Sequence, residues 1–244
     1  MSPELWDTAS LRNMLNALAE LPAGRVSDRK LDLFNGWCCH ALRPYLTDVR
    51  SRAAARYAEQ HIDQGCPDTP EREAILEAAK QAVEDLIKWA DGAPTAAETR
   101  RRRVYAFTAQ IAQQSLGHDQ RNRGVWANAQ LTAFAFGYAN DEPPAYLPGS
   151  EELRDEHLRL QATVFRDIVG NPFRPVAFDP RWRTEDTLGL ARGIYEERAF
   201  ARLPLLADAL MDAGCDDDSL VGHCRSAGPH ARGCWAVDLV LGKD

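Results

Sequence analysis

The feature that most constrains this chain is an order of helix signals that repeats along it: a capping residue, apolar positions three and four apart, then a glycine or proline stop. Ser27 precedes Leu31, Phe34, Cys38 and Ala41 or Leu42, and Pro44 interrupts. Thr69-Pro70 precedes Ile75, Ala78, Ala82, Val83 and Leu86, and Gly92 ends the run. Such spacings stack side chains on one face of a helix, and proline at the first helical position loses no hydrogen bond. The same logic predicts a helix through Leu11, Met14, Leu15 and Leu18, closed by Pro22-Ala23-Gly24, and another over 48–64, stopped by Gly65. Thr95 and Glu98 have the capping-box spacing and open a helix through Val104, Phe107 and Ile111. A further helix, rich in alanine and aromatics, is expected over 125–138. No alternating apolar run is longer than a few residues, so a sheet is not expected. The predicted fold class is all-α, a bundle-like array of many helices.

At 244 residues the chain is long enough for one large core or two small ones. Asn140 to Gly149 holds three prolines and flanking acids, which no helix can run through. This predicts two helical lobes, 1–139 and 150–244, joined by a proline-rich linker over 140–149. In the second lobe Ser150 caps a helix to about Val169, with Leu153, Leu160, Val164 and Ile168 facing inward. An extended segment, Gly170 to Trp182, follows, and its Phe173, Val176, Phe178 and Trp182 should pin it to the helices. Short helices near 185–196, 200–213, 217–225 and 232–241 complete the chain.

Hydrophobic residues make up 45% and charged residues 27%, so the chain buries enough to fold. No apolar run approaches the ~18–20 residues that cross a bilayer, and the first residues lack a basic and apolar leader. A soluble, cytoplasmic protein with no membrane partner is expected. The net charge of −7, with 25 Arg and 4 Lys, disfavours nucleic acid, which is held chiefly by cations on its phosphates. Arg100-Arg101-Arg102-Arg103, with Arg121 and Arg123 nearby, is the candidate patch. Four consecutive arginines splay around one turn, so pairing with acids is the expected role.

Chemistry concentrates in the cysteines. Reducing compartments disfavour disulfides, which leaves packing, metal binding or reactivity. Cys38-Cys39-His40 lies on a helix, where adjacent side chains diverge, so Cys39 and His40 are not expected to act together. The last thirty residues carry Cys215, His223, Cys224, His230 and Cys234. Cys215, Cys224, His230 and Cys234 are the candidate metal ligands, with His223 as a spare and zinc as the metal. His230 and Cys234, four apart, would share a helical face, whereas His223 and Cys224 would point about 100° apart. Asp216-Asp217-Asp218 lacks the ligand spacing of a calcium loop and reads as helix capping. Gly228-Pro229-His230-Ala231-Arg232-Gly233 reads as a tight turn between helices.

Two stretches carry a resemblance. Ser27-Asp28-Arg29-Lys30-Leu31-Asp32-Leu33-Phe34 with Cys38-Cys39, and the segment from Asn171-Pro172-Phe173-Arg174-Pro175 to Gly228-Pro229-His230-Ala231-Arg232-Gly233-Cys234-Trp235 and Lys243, resemble a large paralogous group of planctomycete-type bacterial proteins. The resemblance implies a portable C-terminal interaction or assembly module and implies no catalytic residue. The leading expectation is therefore a non-enzymatic helical protein that docks a protein partner, with Phe173, Arg174, Phe178 and Trp182 as candidate contacts. The alternative is a zinc-binding protein, structural or hydrolytic.

Overall fold

The structure, a computed structural model, describes residues 1–22, 24–116 and 148–243. It is 73% helical with no strand among the described residues, as the spacing of the apolar positions predicts. Eleven α-helices are described: α1 Pro3–Thr8, α2 Leu11–Ala19, α3 Asp28–Ala41, α4 Val49–His61, α5 Pro70–Asp91, α6 Ala96–Gln114, α7 Pro148–Val169, α8 Glu185–Glu197, α9 Leu203–Asp212, α10 Asp218–Arg225 and α11 Trp235–Leu241. The helix expected over 125–138, together with Arg121, Arg123 and linker positions 140–147, lies outside the described residues. No described helix is long and apolar enough to cross a membrane.

Ser27 and Thr69 cap as the sequence implies, whereas α7 begins at Pro148, inside the expected linker and ahead of the expected cap Ser150. The Ser27 hydroxyl accepts the Lys30 N–H at 3.3 Å and the Thr69 hydroxyl accepts that of Arg72 at 3.1 Å, each satisfying a donor with no partner inside its helix. Only half of the capping box on α6 forms. Thr95 accepts the Glu98 N–H at 3.2 Å, but the Glu98 carboxylate takes Arg102 Nε at 2.9 Å one turn along. Two residues of the arginine run pair with acids, Arg102 with Glu98 and Arg103 with Asp91 at 2.9 Å, and the Arg102 guanidinium also lies 4.6 Å from the centre of the Trp89 ring. Helix α1 escapes prediction because six residues are too few to display a period; a single buried side chain, Trp6, anchors it.

Two apolar cores form. The first gathers Trp6, Phe34, Leu42, Ile111, Phe165 and Ile168, and the second Ile194, Leu206, Leu210, Cys224 and Val237. Helix α7 belongs to the first: the Phe165 ring meets Phe34 edge-on at 5.0 Å and lies 6.3 Å from Trp6. Its inward stripe is His157, Gln161, Val164, Phe165 and Ile168, whereas Leu160, expected inside, is 39% exposed. A stripe built on aromatic Phe165 turns the helix so that position 160 faces out. Between the cores runs a charged seam. Asp238 of α11 accepts Lys30 Nζ at 2.5 Å and Arg29 Nη1 at 2.8 Å, and Arg29 Nε reaches Asp63 at 2.8 Å. Tyr195 donates to Asp63 at 2.6 Å, and Lys243 and Arg232 each approach the same carboxylate at 3.2 Å.

Asp32 is an exception to this pairing, since burial pushes its carboxyl up to about 6. A folded-state value raised above the unfolded one means stability is full below the ordinary carboxyl range and is lost as the pH rises through about 6. Asp32→Asn is therefore expected to stabilise the fold at pH 8 by on the order of 1–3 kcal/mol and to change little at pH 4, as read from urea unfolding at both pH values. Equal effects at the two pH values would refute this.

Candidate metal centre

Asp167 lies near the end of α7 between the fully buried positions Val164 and Ile168, so the carboxylate is carried into the interior and is 4% exposed. His223 projects from α10, and Cys234 is the residue before α11. His230 stands between them in a turn. The expectation that His230 and Cys234 share a helical face is corrected here, because α11 begins only at Trp235. Gly233 holds φ at +88° with Leu33 packed against it, and a Cβ at that position would collide with the Leu33 side chain. Only glycine fits, and the left-handed backbone keeps 230–234 out of the helix.

The turn brings four ligand-type atoms together: Asp167, His223, His230 and Cys234 each offer one, all within 4.8 Å of one another. Asp167 Oδ1 meets His230 Nδ1 at 2.7 Å and His223 Nε2 at 3.1 Å, and that same Nε2 is 3.1 Å from Cys234 Sγ. Around a zinc ion with bonds of about 2.0–2.3 Å, tetrahedral ligand atoms stand about 3.3–3.7 Å apart, so the contacts of 2.7 and 3.1 Å, at hydrogen-bond length, would open by up to about 1 Å to admit the ion. Asp167 Oδ2 accepts the Ala231 N–H at 2.8 Å, and the far nitrogen of His230 lies 3.2 Å from the Ser226 carbonyl. These outer contacts orient the carboxylate and the imidazole, as ligand-supporting hydrogen bonds do in metal sites.

A thiol, an imidazole and a carboxylate also suggest nucleophilic chemistry, but the atoms argue against it. In such a triad the base uses one ring nitrogen for the carboxylate and the other for the nucleophile. Here His223 turns the same nitrogen to both, and Cys234 is fully buried. Burial first, and then the Asp167 charge, pushes the Cys234 thiol far above its ordinary value, the reverse of activation. Burial opposes ionisation of Asp167, but hydrogen bonds from His223 and His230 prevail and hold it low. Burial likewise disfavours a charge on His230, which contact with Asp167 overrides to raise it.

Of the metal ligands expected from sequence, His230 and Cys234 enter this group. Cys215 and Cys224 lie in the second core, and burial pushes Cys224 up to about 12. His223 and Cys224 diverge as their adjacency on a helix requires. Asp167 was not singled out; the available signal was an acid among the apolar positions of α7. Cys39 is buried with its thiol at about 12, while His40 beside it is exposed. The candidate partner contacts fall along one strap. Phe173 stacks toward Trp6 at 5.8 Å, Phe178 meets Trp182 edge-on at 5.3 Å, and Arg174 pairs with Glu4 at 2.9 Å. The strap is pinned to the helices through its aromatic residues.

Asp167, His223 and His230 also face a cleft of about 590 Å³ that Arg25, Lys30 and Arg166 help to line. Comparison with models of known families, with curated proteins and with solved structures finds no match to this chain, so the functional reading stands on these residues alone.

Proposed function

We propose that this chain is a zinc-binding protein in which Asp167, His223, His230 and Cys234 hold one ion. The single observation that carries this reading is the convergence of four ligand atoms from two helices and the turn before α11, with one imidazole nitrogen facing both a carboxylate and a sulfur. A thiolate and two imidazoles suit zinc better than magnesium or calcium, which take oxygen ligands. Four protein ligands complete a tetrahedron and leave no position for a reacting water, so the role is structural rather than hydrolytic. The ion would tie α7, which belongs to the first core, to α10 and α11 of the second. Ser226 would keep the second nitrogen of His230 protonated and leave Nδ1 for the metal.

Chelator-treated protein titrated with zinc at pH 6.5 is expected to bind one ion, release about two protons, from Cys234 and His230, and unfold at a higher temperature. Cobalt in place of zinc should give the absorption of a tetrahedral thiolate complex. Cys234→Ser and Asp167→Asn should each weaken binding about tenfold or more, and Cys215→Ser should leave it unchanged. Absence of uptake, or uptake unaffected by Cys234→Ser and Asp167→Asn, would overturn the reading.

A further inference from the structure

A second cleft, of about 390 Å³, opens between α3, α4, the end of α8 and the turn that carries His230. Arg43, Arg52, Arg56, Arg198, Arg232 and His40 line it. This is a dense gathering of cations in a chain whose net charge is −7. Arg198 pairs with Glu59, and Arg232 shares Asp63 at 3.2 Å. Among the described residues no carboxylate pairs with Arg43, Arg52 or Arg56. Arg198 projects into this region from the left-handed residue that closes α8, at φ +55°, a conformation uncommon for a side chain larger than asparagine.

The cations feel one another. His40 is held below its ordinary value first by burial and then by the charges of Arg198 and Arg43, and Arg198 is lowered first by burial and then by Arg232 and Arg43. An excess of positive over negative groups in a partly closed cleft, five arginines against Asp32 and Glu59, raises the local concentration of anions and strengthens the hold on one that enters. Trp37, Leu46, Ile62 and Phe200 supply an apolar wall, and Asp32, Glu59 and Ser115 also line the cleft. A cationic side and an apolar side within one small cavity match a ligand that is itself divided, with an anionic head and an apolar body. Arg43 and Arg56, which pair with no carboxylate among the described residues, and Arg198, whose partner Glu59 a phosphate would replace, together fit a dianion, and the planar forks of arginine fit phosphate oxygens in pairs. A long polyanion is the poorer match, since the acidic remainder of the chain repels it.

We propose that this cleft is a binding site for a small phosphate monoester with an aromatic or apolar body, its phosphate held by Arg43, Arg56 and Arg198 and its body lying against Trp37 and Leu46. None of those five residues is a proposed zinc ligand, although the turn that carries His230 forms one wall of the cleft.

The test uses full-length, chelator-treated protein with phenyl phosphate, inorganic phosphate and phenol as probes, followed by calorimetry. Phenyl phosphate is expected to bind more tightly than inorganic phosphate, phenol not detectably, and binding should weaken as salt is raised. Arg43→Gln and Arg198→Gln should each weaken phenyl phosphate tenfold or more, with unfolding midpoints close to that of the parent. Arg181→Gln, at an exposed arginine outside the cleft, should leave binding unchanged. Failure of phenyl phosphate to bind at millimolar concentration, binding indifferent to Arg43→Gln and Arg198→Gln, or capture of single-stranded RNA without any phenyl phosphate binding would each overturn the proposal. Repeating the titration on zinc-loaded protein separates the two readings, since loss of zinc uptake by Cys234→Ser should leave phenyl phosphate affinity within about twofold.

Discussion

Asp238→Ala is expected to lower the free energy of unfolding by about 3–5 kcal/mol, the usual consequence of removing one partner from a buried ion pair. Asp238 is 1% exposed and accepts both Lys30 at 2.5 Å and Arg29 at 2.8 Å. Arg29 keeps Asp63 and Tyr195 as partners when Asp238 is lost. Lys30, 7% exposed, keeps only the Gly233 carbonyl at 2.8 Å, which cannot neutralise an ammonium. Burial already pulls the Lys30 ammonium below its ordinary 10.5, and loss of Asp238 pulls it further. A lysine whose value is lowered in the folded state costs most stability where both states hold the proton, and the cost falls once rising pH lets the folded chain shed its proton first. The deficit of the variant should therefore shrink as the pH is raised toward 10.5. The double variant Lys30→Met, Asp238→Leu should lose less than Asp238→Ala alone, because an apolar pair of similar volume carries no stranded charge. Urea unfolding at pH 7 and pH 9.5 measures both effects. A loss below 1 kcal/mol for Asp238→Ala, or a deficit that grows with pH, would contradict this account.

That seam also shows what the sequence can and cannot reveal. Ser27, Thr69 and Thr95 announce their helices because a cap is a local device, decided within four residues. The inward stripe of α3 is legible for the same reason, and Leu31, Phe34, Cys38 and Leu42 are all buried as the spacing requires. Leu160 misleads because periodicity gives a face without saying which of two overlapping stripes, one through Leu160 and one through Phe165, meets the partner helices. The candidate metal centre is half legible. His230 and Cys234 stand out by residue type, but their meeting depends on Gly233 and on Leu33, two hundred positions away in the chain. Asp167 shows in the sequence only as an acid between the apolar positions Val164 and Ile168, and nothing near it names His223 or His230. Both stretches that carry the resemblance, Ser27 to Phe34 with Cys38-Cys39 and Asn171 to Lys243, contribute to the charged seam, where Arg29 and Lys30 of the first meet Asp238 of the second. Their residue types follow from that meeting: a buried carboxylate needs buried cations, and neither stretch explains itself alone.

Phe165→Ala is the second substitution expected to have a large effect, about 3–5 kcal/mol, from lost transfer energy and the cavity left behind. The ring is fully buried, edge-on to Phe34 at 5.0 Å and 6.3 Å from Trp6. It joins three helices distant in sequence, so the space cannot close by a shift of one side chain. The consequence should reach the metal centre, because Phe165 sets the rotation of α7, and Asp167, two residues on, depends on that rotation to face His223 and His230. Phe165→Ala is thus expected to weaken zinc binding while every ligand is still present, and Phe165→Leu, which refills most of the volume, to recover most of both losses. A conservative change at Leu206 in the second core, such as Leu206→Val, should destabilise without lowering zinc affinity to the same degree, since Leu206 lies on α9, which supplies no ligand. Thermal unfolding of chelated protein gives the stability term and zinc competition against a chromophoric chelator gives the affinity. If Phe165→Ala lost stability and kept full zinc affinity, the rotation of α7 would not be what places Asp167.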